Sequence, residues 1–178
     1  MFNLQLFAAE AAKKTAVDGK QIIYLFRILS KASSTDAVAM AFTTENERSK
    51  SNEGETIETK DGGINIPKIE TEISTTAILA VGDPLADELE DAMDNGEKIE
   101  IWEANLAEKV GEGTNQFKGR YFQGILNEFT LSSSAGDHAE YECTFKVDDA
   151  GKAGNVTVTA EQQAAAEYAF TDTQKTGA

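Results

Sequence analysis

The side chains best suited to chemistry crowd into a short stretch near the C-terminal end. His138 is the single histidine, and Ser132, Ser133, Ser134 and Asp137 lie within six residues of it. A nucleophilic triad needs serine, imidazole and carboxylate to converge in a fixed geometry. Here all three would share one hairpin turn, which cannot aim its own members at a common point. Glu140 and Glu142 fall on one face of a strand, about 6.5 to 7 Å apart by strand rise, a separation that glycosidic chemistry could use. No aromatic residue alternates with them to stack a sugar. Asp148-Asp149-Ala150-Gly151 lacks the alternating oxygen ligands of a calcium loop. Gly151-Lys152-Ala153-Gly154 has the wrong spacing for a phosphate cradle. The expectation is a protein without catalytic residues, metal or cofactor, and not an enzyme.

One cysteine rules out an internal disulfide and any cysteine-rich metal site. Cys143 alternates with Tyr141 and Phe145 in a strand pattern, so it should point into the core with them. The chain has 178 residues, 40% hydrophobic, enough for one packed domain. Its apolar runs fall short of the roughly 20 residues of a membrane helix, so no membrane is expected. The N-terminal Met-Phe-Asn-Leu-Gln-Leu-Phe has no positive charge before it, unlike a secretory signal. Residues 1–19 read as an N-terminal arm.

The formal net charge is −15, and residues 69–117 hold thirteen acids against two bases, Lys98 and Lys109. Such a balance excludes a nucleic-acid grip, which needs a basic stripe to neutralise phosphates. It suits a nucleic-acid conduit, whose walls should repel phosphate over a screening length.

The elements that must position these charges are mostly strands, in a β-sandwich or barrel-like arrangement with one helix. Gln21 to Leu29 is apolar on both faces and should be covered on both sides. Val38, Met40 and Phe42 alternate with alanines as a second strand. Ile69, Thr71 and Ile73 alternate with Glu70, Glu72 and Ser74, a strand with one wet acidic face. Gln116 to Ser132 is a long aromatic-rich strand, and Ala135-Gly136-Asp137 turns it into a partner from His138 to Val147.

The helix is written over residues 83–95. Asp83 supplies the N-cap, Pro84 the first helical position and Asn95-Gly96 the left-handed stop. Leu85, Leu89, Ala92 and Met93 form a narrow apolar stripe. Asp87, Glu88, Glu90, Asp91 and Asp94 cover the outer face with no base in the helix, and Asp91 and Asp94 oppose the helix dipole. This face is either a solvated surface or one that repels something or meets a basic partner. Beyond it, Ile99 and Ile101 share a strand face with Glu103, while Glu100 and Trp102 lie on the other.

Residues 43–66 hold six acids, three bases and only three large apolar side chains, Ile57, Ile64 and Ile66. They read as a long extended arm loop, in which Glu55 to Lys60 could become a strand if offered an edge. Near the C-terminus, Thr159-Ala160-Glu161-Gln162 is a capping box opening a short helix. Residues 160–178 comprise that helix and a tail that should fray from Thr171 onward.

Several segments together resemble the major tail (tail tube) protein family of long, non-contractile-tailed phages of Gram-positive bacteria. They are Ile23-Tyr24-Leu25-Phe26-Arg27-Ile28-Leu29, Phe42-Thr43-Thr44-Glu45-Asn46-Glu47-Arg48-Ser49-Lys50-Ser51, Thr59-Lys60-Asp61-Gly62-Gly63, Ile73 to Leu85, and Phe117-Lys118-Gly119-Arg120-Tyr121-Phe122-Gln123-Gly124. They run in family order across residues 20–150. The resemblance implies a structural virion protein whose tail-tube β domain spans residues 20–159. Six subunits would form a ring, and rings would stack into a tube through which double-stranded DNA passes without being specifically bound. Tape-measure and terminator proteins would be further partners, with assembly in the host bacterial cytoplasm and residence in the virion tail.

A ring in which each subunit lends four strands would hold 24, giving a barrel about 48 Å across for strands about 4.8 Å apart and tilted about 40°. Alternation nominates Glu70, Glu72, Glu100, Glu140 and Glu142 for its wet inner wall. Arg48, Lys50, Ile57, Lys60, Ile64 and Ile66 are the arm residues expected to reach a neighbouring subunit or ring, with Arg48, Lys50 and Lys60 pairing to its acidic helix face. Two alternatives stay open from sequence: a tube of a phage-derived bacteriocin or secretion-like particle, and a monomeric acidic β-sandwich that binds through a loop.

Overall fold

The computed structural model describes residues 15–112 and 115–166. Nine strands and two helices follow in chain order: β1 (Ile22–Ile28), β2 (Thr43–Asn52), β3 (Glu55–Thr59), β4 (Gly62–Ile66), β5 (Ile69–Ile78), α1 (Leu85–Asp94), β6 (Ile99–Lys109), β7 (Gln116–Ser132), β8 (Glu140–Val147), β9 (Lys152–Thr157) and α2 (Ala160–Ala166). Seven strands make one antiparallel sheet in the order β1-β6-β7-β8-β5-β2, with β9 also paired to β7. β3 and β4 form a separate hairpin.

The two-sided apolar pattern of β1 is used as written. Tyr24, Phe26 and Ile28 enter a large cluster with Ile73, Ile99, Ile101, Phe122, Leu126, Tyr141, Cys143 and Phe145. Leu25, on the opposite face, joins Ala104, Leu106, Phe117, Val156 and Val158. Phe26 and Phe145 stack with ring centroids 5.2 Å apart, tying β1 to β8 across the larger core. The sheet therefore rolls on itself into a sandwich-like shape. Its two ends in the strand order meet at Glu103 on β6, which accepts from the Tyr24 hydroxyl of β1 at 2.7 Å and from Arg48 Nε of β2 at 2.5 Å.

α1 sets Leu85, Ala86, Leu89 and Ala92 into the larger core. Ala86 takes the place expected for Met93, which stays exposed. Pro84 stands at the N-cap instead of the first helical position, because its carbonyl accepts the first helical bond from Glu88; Asp83, one residue outside, accepts from the Leu85 N–H at 3.0 Å. At α2, Thr159 and Gln162 bond each other's backbone reciprocally, the expected capping box. The N-terminal arm through residue 14 and the tail beyond Thr171 lie outside the described residues.

Two expectations are corrected. Val38, Met40 and Phe42 do not make a strand: Val38 forms a single bridge to Phe26, Met40 is buried, and Phe42 is exposed with φ 50°. Residues 43–66 are not a loop. Their first ten residues pair with β5 along its whole length, and the next segment folds back as the hairpin β3–β4, with Ile57 opposite Ile64. The polar composition that suggested a loop belongs to an edge strand wet on one face.

Candidate functional site

Four consecutive strands, β2, β5, β8 and the C-terminal half of β7, build one hydrophilic sheet face. Paired residues in an antiparallel ladder share a face, and the register gives its rows directly. One row runs Ser49, Glu72, Lys146, Ile125; the next Glu47, Ser74, Thr144, Glu128; the third Glu45, Thr76, Glu142, Thr130. Glu70 lies opposite Ser51 at one end, and Glu140 opposite Ser132 at the other. The other side of these strands carries Ile73, Ala77, Tyr141, Cys143 and Phe145, all buried. Packing therefore fixes which side the carboxylates occupy, and a slip of one residue would drive them into the core.

Seven carboxylates stand on this face, those of Glu45, Glu47, Glu70, Glu72, Glu128, Glu140 and Glu142, against one ammonium, Lys146. All seven are exposed. Lys68, just before β5, bonds Glu70 at 2.6 Å, and that bond and its charge hold the Glu70 carboxyl below the usual range. The sequence had pointed to Glu70, Glu72, Glu140 and Glu142, and the fold brings these four together. It missed Glu45 and Glu47, whose alternation with Asn46 and Arg48 was legible but was read as loop. It also missed Glu128, which a register shift between Leu126 and Glu128 brings opposite Thr144.

Glu100 does not belong there. It is only 6% exposed, on the side of β6 that faces away from the larger core. Arg27 bonds it at 2.7 Å through Nη2 and at 2.8 Å through Nε, and the Tyr121 hydroxyl donates to it at 2.7 Å. Arg27 also lies over the Trp102 ring, 5.0 Å from its centroid. The expectation of a wet Glu100 is overturned because alternation reports a face, not what covers that face.

The arm residues divide similarly. Arg48 and Lys50 are engaged within their own chain, Arg48 with Glu103 and Lys50 with the Ala150 carbonyl at 3.0 Å. In the single subunit Arg48 is thus already paired, while Lys50 stays exposed. Burial together with the hydrogen bond to Glu103 raises the Tyr24 phenol above its ordinary range. The hairpin is different. Ile57, Ile64 and Ile66 share one of its faces and remain about half exposed at 49%, 57% and 51%. Lys60 lies at its turn. A two-stranded ribbon alone is marginally stable, so an uncovered isoleucine face calls for a partner surface. On α1, Asp87, Glu90, Asp91 and Asp94 face out, while Glu88 pairs with Lys31 at 3.1 Å.

Among the described residues no helix is long and apolar enough to cross a membrane, and no group of three His, Cys, Asp or Glu side chains could hold a metal ion. The arrangement offers two surfaces for assembly, an acidic sheet face and an apolar hairpin.

Residues 16–153 match the model of the phage tail tube protein family. A tail protein of Staphylococcus phage phiMR25 is 35% identical over 162 residues, covering 88% of this chain and 82% of that protein. In fold, the SPP1 tail tube superposes with a TM-score of 0.68 at 17% identity, over 92% of this chain and 95% of that one. The tail of an empty gene transfer agent particle gives 0.59 at 13% identity, over 77% and 98%. The chain belongs to the phage tail tube protein family, structural proteins of the virion tail.

Proposed function

We propose that six copies close into a ring, that rings stack into the tube, and that the acidic sheet face forms the wall of a DNA channel. One observation carries this reading: among the described residues, no strand pairs with either outer edge of the four strands bearing seven carboxylates. β2 ends the strand order, and β6 covers only Phe117–Gly124 of β7, leaving 125–132 open on that side. Neighbouring copies can join β2 to β7 and remove both edges, the usual hazard of a strand-rich protein. The even number of strands keeps the joint antiparallel. The gene transfer agent tail that shares this fold was described with C6 symmetry, which favours six copies. A wall of exposed carboxylates repels phosphate, so DNA passes without a resting site.

Glu70, Glu72, Glu140 and Glu142 are the wall residues of this reading. The hairpin, through Ile57, Ile64, Ile66 and Lys60, reaches an adjoining ring. Terminator and tape-measure proteins meet the tube's ends and interior, and assembly takes place in the host cytoplasm. The first test is electron microscopy of the purified protein at high concentration, where six-fold rings with a central hole are expected. Monomers alone, at every concentration and in the presence of tail initiator proteins, would defeat it. Particles carrying Glu70→Lys, Glu72→Lys and Glu142→Lys together should retain tails but retard DNA release. Unaltered release would remove the wall from the acidic face.

A further inference from the structure

The open edges carry enough information to specify how neighbouring copies pair. Glu53 N–H donates to the Lys68 carbonyl at 2.8 Å, extending the β2–β5 ladder. Hydrogen-bonded pairs recur every second residue in an antiparallel ladder, so Glu47, Ser49 and Ser51 bond β5. Asn46, Arg48, Lys50 and Asn52 then turn their N–H and C=O groups to the open side. On β8, Leu79 N–H reaches the Ala139 carbonyl and Asp148 N–H reaches that of Gln123, both at 2.8 Å. Odd residues of β8 therefore bond β5 and even ones bond β7. Glu128, Thr130 and Ser132, opposite Thr144, Glu142 and Glu140, are consumed by β8. Phe129 and Leu131 are left to bond outward.

The row Glu128, Thr144, Ser74, Glu47 crosses the subunit perpendicular to its strands. In any closed ring, the residue of the next subunit's β7 that faces Glu47 is displaced from position 128 by a constant step. The step must be even, since an odd one would put carboxylates on the core side. The backbone phases just derived demand the same parity. Displacement toward the N-terminus runs into Gly124, whose edge β6 already occupies. Steps of two, four and six remain. With strands about 4.8 Å apart and a rise of about 3.4 Å, they tilt the strands by about 20°, 35° and 47°. Barrels favour about 35–45°, which excludes the first. The third leaves only four residues facing across the joint, where a step of four gives six. Ring size does not enter this calculation.

Resting on the ring reading above, we propose that β2 pairs with β7 of the next copy in the register Glu47 to Ser132, Ser49 to Thr130 and Ser51 to Glu128. Backbone bonds run from Arg48 to Leu131 and from Lys50 to Phe129. On the wall, each carboxylate faces a hydroxyl instead of another carboxylate. On the core side, the Arg48 stem covers Leu131, which is 57% exposed in the single subunit.

The test is disulfide trapping in the full chain. Residues 49 and 130 would form a non-hydrogen-bonded pair, the closer kind, with Cα atoms about 4.5 Å apart and within disulfide reach. Ser49→Cys with Thr130→Cys should give, on oxidation, a covalent ladder ending at the ring size. Ser49→Cys with Glu128→Cys, or with Ser132→Cys, should cross-link about tenfold less. All three keep Cys143, buried and common to each. Preferential trapping at 128 or 132, or none in any variant whose rings are visible by microscopy, overturns the register and leaves the ring reading standing. Absence of both rings and cross-links overturns the two together.

Discussion

Two sets of glutamates, both on central antiparallel strands, meet opposite fates. Glu72 and Glu142 stand in water on the open face of β5 and β8, while Glu100 and Glu103 on β6 are enclosed by Arg27, Arg48, Tyr24 and Tyr121. The first set contributes charge to a surface. In the second, Glu103 joins β1 to β2 and Glu100 ties β6 to its neighbours β1 and β7. The neighbours, not the strand, decide what a carboxylate does.

The widest gap between them should appear in stability. Glu100→Ala leaves the Arg27 guanidinium, about a fifth exposed, with only the Ala32 and Thr35 carbonyls and no counter-charge, and should cost about 3 kcal/mol in urea unfolding. Glu142→Ala should stay within about 0.5 kcal/mol. Equal losses would mean that the acidic face is covered in the single subunit. Arg48→Met is milder, about 2 kcal/mol, because Glu103 keeps its bond from Tyr24. A neutral result there would mean that β2 is held by β5 alone.

The hairpin extends the contrast from carboxylates to apolar groups. Ile57→Ser with Ile64→Ser should leave the unfolding midpoint of the subunit within about 0.5 kcal/mol yet abolish stacking, with single rings in micrographs. Full-length tubes from this variant would release the hairpin from its assembly role. At neutral pH the smallest effect concerns Cys143. Burial first, and the nearby Glu142 charge second, push its thiol up to about 12. Below the unfolded value near 9 the thiol is protonated in both states and costs nothing. Above it the unfolded chain ionises while the folded one does not, so stability falls as pH rises from about 9 to 12. Cys143→Ala should flatten that part of the curve, measured as unfolding midpoint against pH.

Much of this architecture was legible. The left-handed stop of α1 at Gly96, the two-sided core of β1, the acidic alternation of β5 and the turn before β8 were written in local residue order, and each is a short-range effect. Cys143 was placed correctly by alternation with Tyr141 and Phe145. What failed was non-local. β2 has no apolar face of its own: its inward positions are Asn46 and Arg48, which meet Thr75 and Glu103 far along the chain, so its alternation carries no hydrophobic signal. Glu100 was misplaced because Arg27 lies 73 residues away. Residues 38–42 have the period of a strand but find only one bridge, and tertiary pairing overrides propensity.

β7 belongs to both halves of the molecule. Its seventeen residues pair with β6 and β9 at one end and with β8 at the other, a span of roughly 55 Å without a loop. Where its partners change, Gly124 lies so close to Lys146 that a Cβ there would sit 2.2 Å from the carbonyl oxygen. In the ring reading proposed above, a push on the acidic face would travel along one covalent strand to the end paired with β6 and β9, as a lever carries torque. That coupling would follow from a single strand long enough to take different partners at its two ends.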